Sequence, residues 1–250
     1  MNEATRMKTA QMPVGGQTMS PALQSATNYY AWIASHFRPI LGARVLDIGG
    51  GHGSHLEHIV EKGRFVMSLD VSHDSVEEMR RRFDGQAFEA CVGDITDSNV
   101  VDLMVARRFD TIVCVNVLEH IERDDLALRG IARILAASRG RAFLLVPAHP
   151  FLYGTPDELA GHFRRYRRGD FRTRLIAAGL RPLQLHYFNA FGAIPYALNS
   201  RIFRPRTLGG PVDAQILLFD RYLVPVLRRL ESLVPKPFGQ SLIAIAQADH

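Results

Sequence analysis

A glycine-dense segment is the part of this 250-residue sequence that most clearly predicts chemistry. Residues 45–53 read Val-Leu-Asp-Ile-Gly-Gly-Gly-His-Gly, so an apolar run passes directly into a loop of glycines. Glycine is required where the backbone takes positive φ or where a ligand approaches it closely. The pattern predicts a strand ending at Ile48 and a helix beginning at Gly53, whose free N–H groups would face a ligand at the sheet edge.

Two acidic residues follow the next two apolar runs. Asp70 ends the run FVMSLD, and Asp94 follows the next one in Val92-Gly93-Asp94. In a parallel sheet these positions share one edge with the glycine loop. Asp70 is suited to accept hydrogen bonds from both hydroxyls of a ribose, and Asp94 from an exocyclic amine. Singly, each aspartate is more typical of a turn or a helix cap; together they predict one nucleoside pocket.

The glycine spacing argues against two common nucleotide-binding loops. If Gly49 and Gly51 are aligned with the dinucleotide fingerprint G-x-G-x-x-G, Ser54 occupies the third glycine position. No lysine follows the loop, as a Walker phosphate-binding loop would require. The loop instead reads Asp-x-Gly-x-Gly-x-Gly from Asp47 to Gly53.

Four segments in order resemble the class I S-adenosylmethionine-dependent methyltransferases: VLDIGGGHG (45–53), FVMSLDVS (65–72), VGDI (92–95) and FDTIVCVNVLEHI (109–121). The loops further along are similar to a bacterial small-molecule subgroup of that family. One departure is Gly50, where many relatives carry Cys or Ala, and we expect glycine at this position to be neutral or slightly loosening. The resemblance implies S-adenosylmethionine as the cofactor.

The resemblance also implies roles for individual residues. The methionine part of the cofactor would be lined by Asp47, Gly49, Gly51 and Gly53 of the loop. The ribose would be held after the second strand by Asp70 and Val71, and the adenine would be bounded after the third by Asp94 and Ile95. The sulfonium would be faced after the fourth strand by Asn116, Val117 and Leu118.

Short β-rich runs alternate with amphipathic segments, which predicts an α/β fold with a largely parallel sheet. The predicted strands are 44–48, 64–70, 88–92, 109–115, 141–147, 180–188 and 241–247, with helices at 53–62, 74–83, 97–107, 123–137 and 170–178. The resemblance implies a Rossmann-like, doubly wound sheet of seven strands in the order 3-2-1-4-5-7-6. Helices would cover both faces, and the last strand would be antiparallel.

We expect a flexible arm at 1–20 and a single domain over 21–250. Residues 21–40 would form a helical cover, which either closes over the cofactor or forms the first layer of the core. Residues 189–238 break the alternation and predict a helical insertion before the last strand. Its apolar helix near 214–233, kinked at Pro225, would cover the pocket, form a homodimer seam or lie on a membrane surface.

The loop after the fifth strand, residues 147–168, is the predicted acceptor side. His149 and His162 are candidate bases or orienting groups, and Tyr153 and Tyr166 are candidates to orient an acceptor. The alternative is that these rings only pack the loop onto the sheet. For His120, packing beside the cofactor is the favoured interpretation.

Several kinds of site are argued against. Asn116-Val117-Leu118-Glu119 lacks the Pro-Pro-aromatic motif of amide and adenine N-methyltransferases, and Cys114 lies within a strand rather than after a proline as cytosine C5 enzymes require. No His/Cys pattern has zinc-ligand spacing, so no metal is predicted, although carboxylate-bound Mg²⁺ stays open.

Charge and composition narrow the remaining classes. The chain has 30 Lys+Arg against 25 Asp+Glu, and arginines crowd 164–174 and 201–229. They favour an anionic acceptor or simply a solvated face, and nucleic acid is disfavoured because stacking aromatics are scarce. Two cysteines in apolar runs and no run of 18 apolar residues predict a cytoplasmic protein without a membrane span.

The predicted function is methyl transfer to a small molecule of natural-product, sugar or lipid-linked type. The transfer would be an in-line displacement that uses a histidine base or orienting group. Two alternatives stay open: an RNA methyltransferase that uses the arginine clusters, and a non-catalytic, cofactor-binding partner subunit.

Overall fold

The computed structural model describes residues 21–192, 216–231 and 237–249. The strands are β1 (Arg44–Ile48), β2 (Phe65–Asp70), β3 (Phe88–Val92), β4 (Thr111–Val115), β5 (Arg141–Pro147), β6 (Leu180–Phe188) and β7 (Ser241–Ala248). The α-helices are α1 (Pro21–Gln24), α2 (Thr27–Phe37), α3 (His73–Arg82), α4 (Ser98–Ala106), α5 (Asp124–Ala136), α6 (Thr155–Leu159), α7 (Arg168–Ala177) and α8 (Val224–Glu231). The predicted arm and most of the predicted insertion lie outside the described residues.

All seven strands form one sheet in the order β3-β2-β1-β4-β5-β7-β6, which confirms the predicted fold class. β1 pairs in parallel with β2 and β4, and β7 pairs antiparallel with both β5 and β6. The carboxyl ends of β1, β2, β3, β4 and β5 therefore share one edge, where ligands of doubly wound sheets bind.

Helices cover both faces of the sheet because its central strands are apolar on both sides. In β1, Leu46 and Ile48 pack into one core cluster with residues of α4, α5 and α7, whereas Val45 packs into another with α2 and α3. Every residue of β4 is buried. The continuous apolar runs in the sequence are thus explained by burial on two faces.

Helix α2 is part of the core. Trp32, Ile33 and Phe37 are fully or almost fully buried, and the Trp32 ring lies 4.5 Å from that of Phe188 at the end of β6. The structure therefore gives this predicted cover the role of a core layer. The Asp220 carboxylate accepts hydrogen bonds from two backbone amides in the first turn of α2, from Asn28 N at 3.2 Å and from Tyr29 N at 2.7 Å.

The helix predicted at 53–62 is wrong. The chain forms only a 3₁₀ turn at Leu56–His58 between β1 and β2. Leu56 and Ile59, three residues apart, are both buried, and a 3₁₀ turn places residues at that spacing on one side. The apolar spacing is compatible with either helix type, and the four glycines that precede the 3₁₀ turn disfavour the first turn of an α-helix.

The predicted irregularity near Pro225 takes the form of a π-helical turn. Residues Phe219–Leu223 form this turn directly before α8. Proline has no N–H to continue an α-helical ladder, so the backbone changes its hydrogen-bond pattern one turn before it.

We predict that Trp32→Ala lowers the free energy of unfolding by about 3–5 kcal/mol, because it leaves a large cavity in the core. Urea unfolding should be followed by circular dichroism, since Trp32 is the only tryptophan and its fluorescence is lost. Arg38→Ala, at an exposed position next to the same helix, should stay within about 0.5 kcal/mol. Equal stability of the two variants would contradict a core role for α2.

Candidate active site

The loop after β1 presents open backbone at the sheet edge. Gly49, Gly51 and Gly53 all have positive φ, at 72°, 54° and 76°. A Cβ on Gly49 would overlap the side chain of Val117, so that glycine allows the loop to pack on the segment after β4. A Cβ on Gly51 would meet no atom within 4 Å. The chain thus leaves space for a ligand directly above Gly51.

Asp70 connects this loop to the end of β2. Its Oδ2 accepts a hydrogen bond from Gly51 N at 2.9 Å, and its Oδ1 accepts one from Ser72 N at 2.8 Å. Burial raises the pKa of Asp70, and the two amides oppose that rise. Each carboxylate oxygen keeps a second lone pair, so the group can still accept from ribose hydroxyls.

Asp47 lies beneath the loop. Its carboxylate is fully buried, with Oδ1 2.6 Å from His55 Nε2 and Oδ2 accepting from Ser68 Oγ at 2.7 Å. No role was predicted for Ser68, which lies in the segment 65–72, or for His55, which lies two residues beyond the glycine loop. In the structure Asp47 supports the loop from below through these two partners.

Gly50 is packed against the same buried group. A Cβ at this position would overlap Ser68 Oγ and would lie 2.5 Å from Met79 Sδ and 2.7 Å from Asp47 Oδ2. Ala or Cys at this position would therefore not fit unless these buried groups moved. The pattern of residue types gave no sign of it, because the obstacle comes from β2 and α3.

The other predicted cofactor residues lie along the same edge. Asp94 is exposed and accepts from Thr96 N at 2.8 Å, Ile95 is buried beside it, and Val71 is half exposed. Asn116 has a φ of 54°, and its backbone N–H donates to Leu145 O at 2.9 Å. Leu118 is buried after β4. The structure thus brings the predicted set to the carboxyl ends of β1 to β4.

Glu119, one residue further along, was not predicted to have a role. Its side chain is completely buried, and neither carboxylate oxygen has a hydrogen-bond partner in another described residue. Burial raises the pKa of Glu119 to about 7, although nearby His162 favours the charged form. A buried carboxylate without such partners is unusual and commonly marks a functional group.

His162 lies beside Glu119 and is oriented by Asp157. Its Nδ1 is 2.8 Å from Asp157 Oδ1, and Asp157 is itself fully buried and accepts from Arg165 Nε at 2.8 and 3.0 Å. The His120 ring lies edge-on to the His162 ring, with 4.6 Å between centroids. Burial lowers the pKa of His120 to about 3, and the neighbouring His162 contributes to this lowering.

Glu119, His120 and His162 therefore form a cluster, in which one side-chain ligand atom of each lies within 4.8 Å of the others. We call it the Glu-His-His cluster. Glu119 and His120 follow β4 and His162 lies in the loop after β5, so their spacing along the chain gave no signal. The backbone brings them together because Phe163 N donates to Glu119 O at 2.8 Å.

The remaining acceptor-side candidates have other contacts. The His149 ring stacks against those of Tyr187 and Phe238, with 4.9 and 4.2 Å between ring centroids, and burial lowers the pKa of His149. The Tyr153 hydroxyl donates to His162 O at 2.7 Å. Tyr166 is buried and donates to Asp124 Oδ2 at 2.9 Å. The structure thus places Tyr153 next to the cluster and Tyr166 in the core.

Three arginines of the first predicted cluster are paired within the protein. Arg164 and Arg174 both lie 2.8 Å from Asp124 Oδ1, and Arg165 pairs with Asp157. These guanidinium groups stabilise buried carboxylates and are less available to an anionic ligand. The arginines at 201–206 lie outside the described residues.

Comparisons with known proteins find methyltransferases both by sequence and by fold. Residues 45–138 match the family model of the methyltransferase domain. The chain is 33% identical over 129 residues to cypemycin N-terminal methyltransferase from a Streptomyces species, covering 50% of each protein. It spans about half the length of most of the curated relatives that it matches.

Two solved structures share the fold. One is the Haloferax volcanii complex of the Trm112 methyltransferase activator and a methyltransferase, with a TM-score of 0.59, 17% identity and coverage of 90% of this chain and 93% of that one. The other is 1,6-didemethyltoxoflavin-N1-methyltransferase from Burkholderia thailandensis, with its substrate and S-adenosylhomocysteine bound. Its TM-score is 0.51, with 17% identity and coverage of 92% and 80%.

Across the described ranges, no helix combines the length and the apolar character needed to cross a bilayer.

We predict that Gly50→Ala destabilises the protein by roughly 1–3 kcal/mol, because the added methyl forces apart buried groups that cannot move freely. Thermal unfolding measures the effect. The matched control is Gly169→Ala in α7, where a Cβ meets nothing within 4 Å and should be neutral or slightly stabilising. An unchanged melting temperature for Gly50→Ala would contradict the packing described for this loop.

Proposed function

We propose that the chain is a class I S-adenosylmethionine-dependent methyltransferase, and that it transfers the methyl group of S-adenosylmethionine to a small-molecule acceptor. The match of residues 45–138 to the methyltransferase domain supports the family. The observation that carries the proposal is the Asp70 carboxylate, which fixes Gly51 N while Gly51 faces open space. Such a loop offers a cofactor both a shaped backbone and a charged acceptor of hydrogen bonds.

The cofactor would lie across the carboxyl ends of β1 to β4. Gly49, Gly51 and Gly53 would follow its methionine part, above the Asp47 carboxylate. Asp70 and Val71 would hold the ribose, Asp94 and Ile95 would bound the adenine, and Asn116, Val117 and Leu118 would face the sulfonium. The exposure of Val71 and Asp94 in the structure supports this, because both have surface left to give to a ligand.

Methyl transfer requires alignment of an acceptor atom, the methyl carbon and the sulfur, together with removal of water and, for many acceptors, of a proton. The Glu-His-His cluster is the best-supported group for the acceptor side, since it joins the segment after β4 to the loop after β5. We propose that His162, held by Asp157, is the histidine that orients or deprotonates the acceptor. His149 and Tyr153 would shape the same loop, and Tyr166 would support it from the core.

A small acceptor is favoured over RNA. Three of the crowded arginines are paired with Asp124 or Asp157, which removes much of the basic surface that phosphate binding would need. The Burkholderia enzyme of the same fold has 1,6-didemethyltoxoflavin bound, and the name of the Streptomyces relative refers to an N-terminus.

We predict that Asp70→Ala weakens binding of S-adenosylhomocysteine by tenfold or more, because it removes charged hydrogen bonds and releases Gly51 N. Isothermal titration calorimetry gives the affinity, and a thermal melt shows that the variant is folded. Asp74→Ala, at an exposed position four residues along, should bind within about threefold of the unmodified protein. Unchanged affinity in Asp70→Ala would refute the proposed pocket.

Methyl transfer is tested with methyl-labelled S-adenosylmethionine and two fractions of a bacterial extract, one below about 1 kDa and one of total RNA. We expect labelled product and S-adenosylhomocysteine only with the low-mass fraction. Product in the RNA fraction, lost as salt rises, would instead favour the RNA alternative.

A further inference from the structure

We propose that the Glu-His-His cluster binds one divalent first-row transition-metal ion, of the Mn²⁺, Fe²⁺, Co²⁺ or Zn²⁺ class. One carboxylate and two imidazoles are a ligand set that such ions accept, whereas Mg²⁺ and Ca²⁺ prefer oxygen ligands alone. The three side chains come from two loops at the carboxyl edge of the sheet.

The state of Glu119 is the first argument. Both its oxygens are buried and have no hydrogen-bond partner in another described residue. A buried carboxylate is costly unless it is paired with a cation or given donors. The ligand atoms of two imidazoles lie within 4.8 Å of it. Arg165 also favours its charged form, but the Arg165 Nε donates to Asp157. A bound cation would give Glu119 a partner at bonding distance.

The orientation of the two histidines is the second argument. Asp157 engages His162 at Nδ1, which leaves Nε2 as the nitrogen available to an ion. The His120 ring is hydrogen-bonded to the backbone of Ala160. Metal-binding histidines usually have a carboxylate or a backbone carbonyl on their other nitrogen, and these partners fix the ring.

The distances are close to those of a metal site. With bonds of about 2.0–2.2 Å, neighbouring ligand atoms around such an ion lie about 3–3.5 Å apart. The ligand atoms of the cluster lie within 4.8 Å of one another, so side-chain rotations would have to bring them closer by no more than about 1–2 Å. The backbone needs no rearrangement because Phe163 N and Tyr153 Oη already hold the loop around His162.

Three protein ligands leave coordination positions open for water or an acceptor oxygen. An acceptor hydroxyl bound there would lose its proton more readily: the O–H bond breaks, the proton passes to solvent, and the oxygen keeps its electron pair. This role, unlike metal binding itself, rests on the proposed function. It specifies an acceptor that presents an oxygen to the ion, and His162 would then orient that acceptor through the ion rather than deprotonate it.

The test uses the full chain without an affinity tag, stripped with a chelator and then titrated with Co²⁺ or Zn²⁺. We expect one site per chain by calorimetry and a visible absorption band with Co²⁺. At about 100 times Kd, the ion should raise the melting temperature by roughly 5–10 °C.

The variants Glu119→Gln and His162→Gln keep side-chain size and should lose about 100-fold or more in metal affinity. This loss exceeds the one expected when a residue that only hydrogen-bonds to a metal ligand is removed. His73→Gln is the matched control, since His73 is an exposed histidine beside Glu77, at 3.6 Å, on α3; it should bind the ion unchanged. Circular dichroism and melting in chelator establish that each variant is folded.

The proposal is overturned if Mn²⁺, Co²⁺ and Zn²⁺ all fail to stabilise the unmodified chain, or if folded Glu119→Gln and His162→Gln retain its affinity. Binding of S-adenosylhomocysteine in chelator separates this result from the proposed function. Cofactor binding without metal binding refutes the metal site alone, and metal binding without cofactor binding refutes the proposed function alone.

Discussion

The site depends on one interaction, the pair of hydrogen bonds that the Asp70 carboxylate accepts from Gly51 N and Ser72 N. It joins the loop after β1 to the end of β2, so that two strands present one rigid edge. The buried Asp47 carboxylate supports the loop from below through His55 and Ser68. Two acidic groups thus determine the shape of the loop, and the glycines allow the backbone to follow it.

The fold, and the gathering of the proposed cofactor residues at one sheet edge, were largely predictable because their signals are local. Continuous apolar runs indicate strands that are buried on both faces, and the residues after these runs indicate the edge of the sheet where a ligand would bind. The helix expected at 53–62 failed because apolar residues three apart suit a 3₁₀ turn as well. The consequence of filling Gly50 was not visible either, since Ser68 and Met79 meet it only in the folded chain.

The acceptor side was less predictable because its charges are satisfied across long sequence separations. In the sequence the arginines near position 164 look like free positive charge. In the structure Asp124 pairs with Arg164 and Arg174, and Asp157 pairs with Arg165. Glu119 was overlooked because an acidic residue after a strand is ordinary, and only its complete burial distinguishes it. Isolation from donors is a property of the assembled structure that residue types do not encode.

The position of β7 between β5 and β6 has a consequence for biosynthesis. During translation β1 to β5 can assemble as a parallel sheet, but β6 has no neighbour to pair with until residues 241–248 emerge from the ribosome. Until then the outer side of β5 is an unpaired sheet edge, which is prone to association with other chains. A premature stop before β7 would therefore yield an aggregating product rather than a smaller folded one.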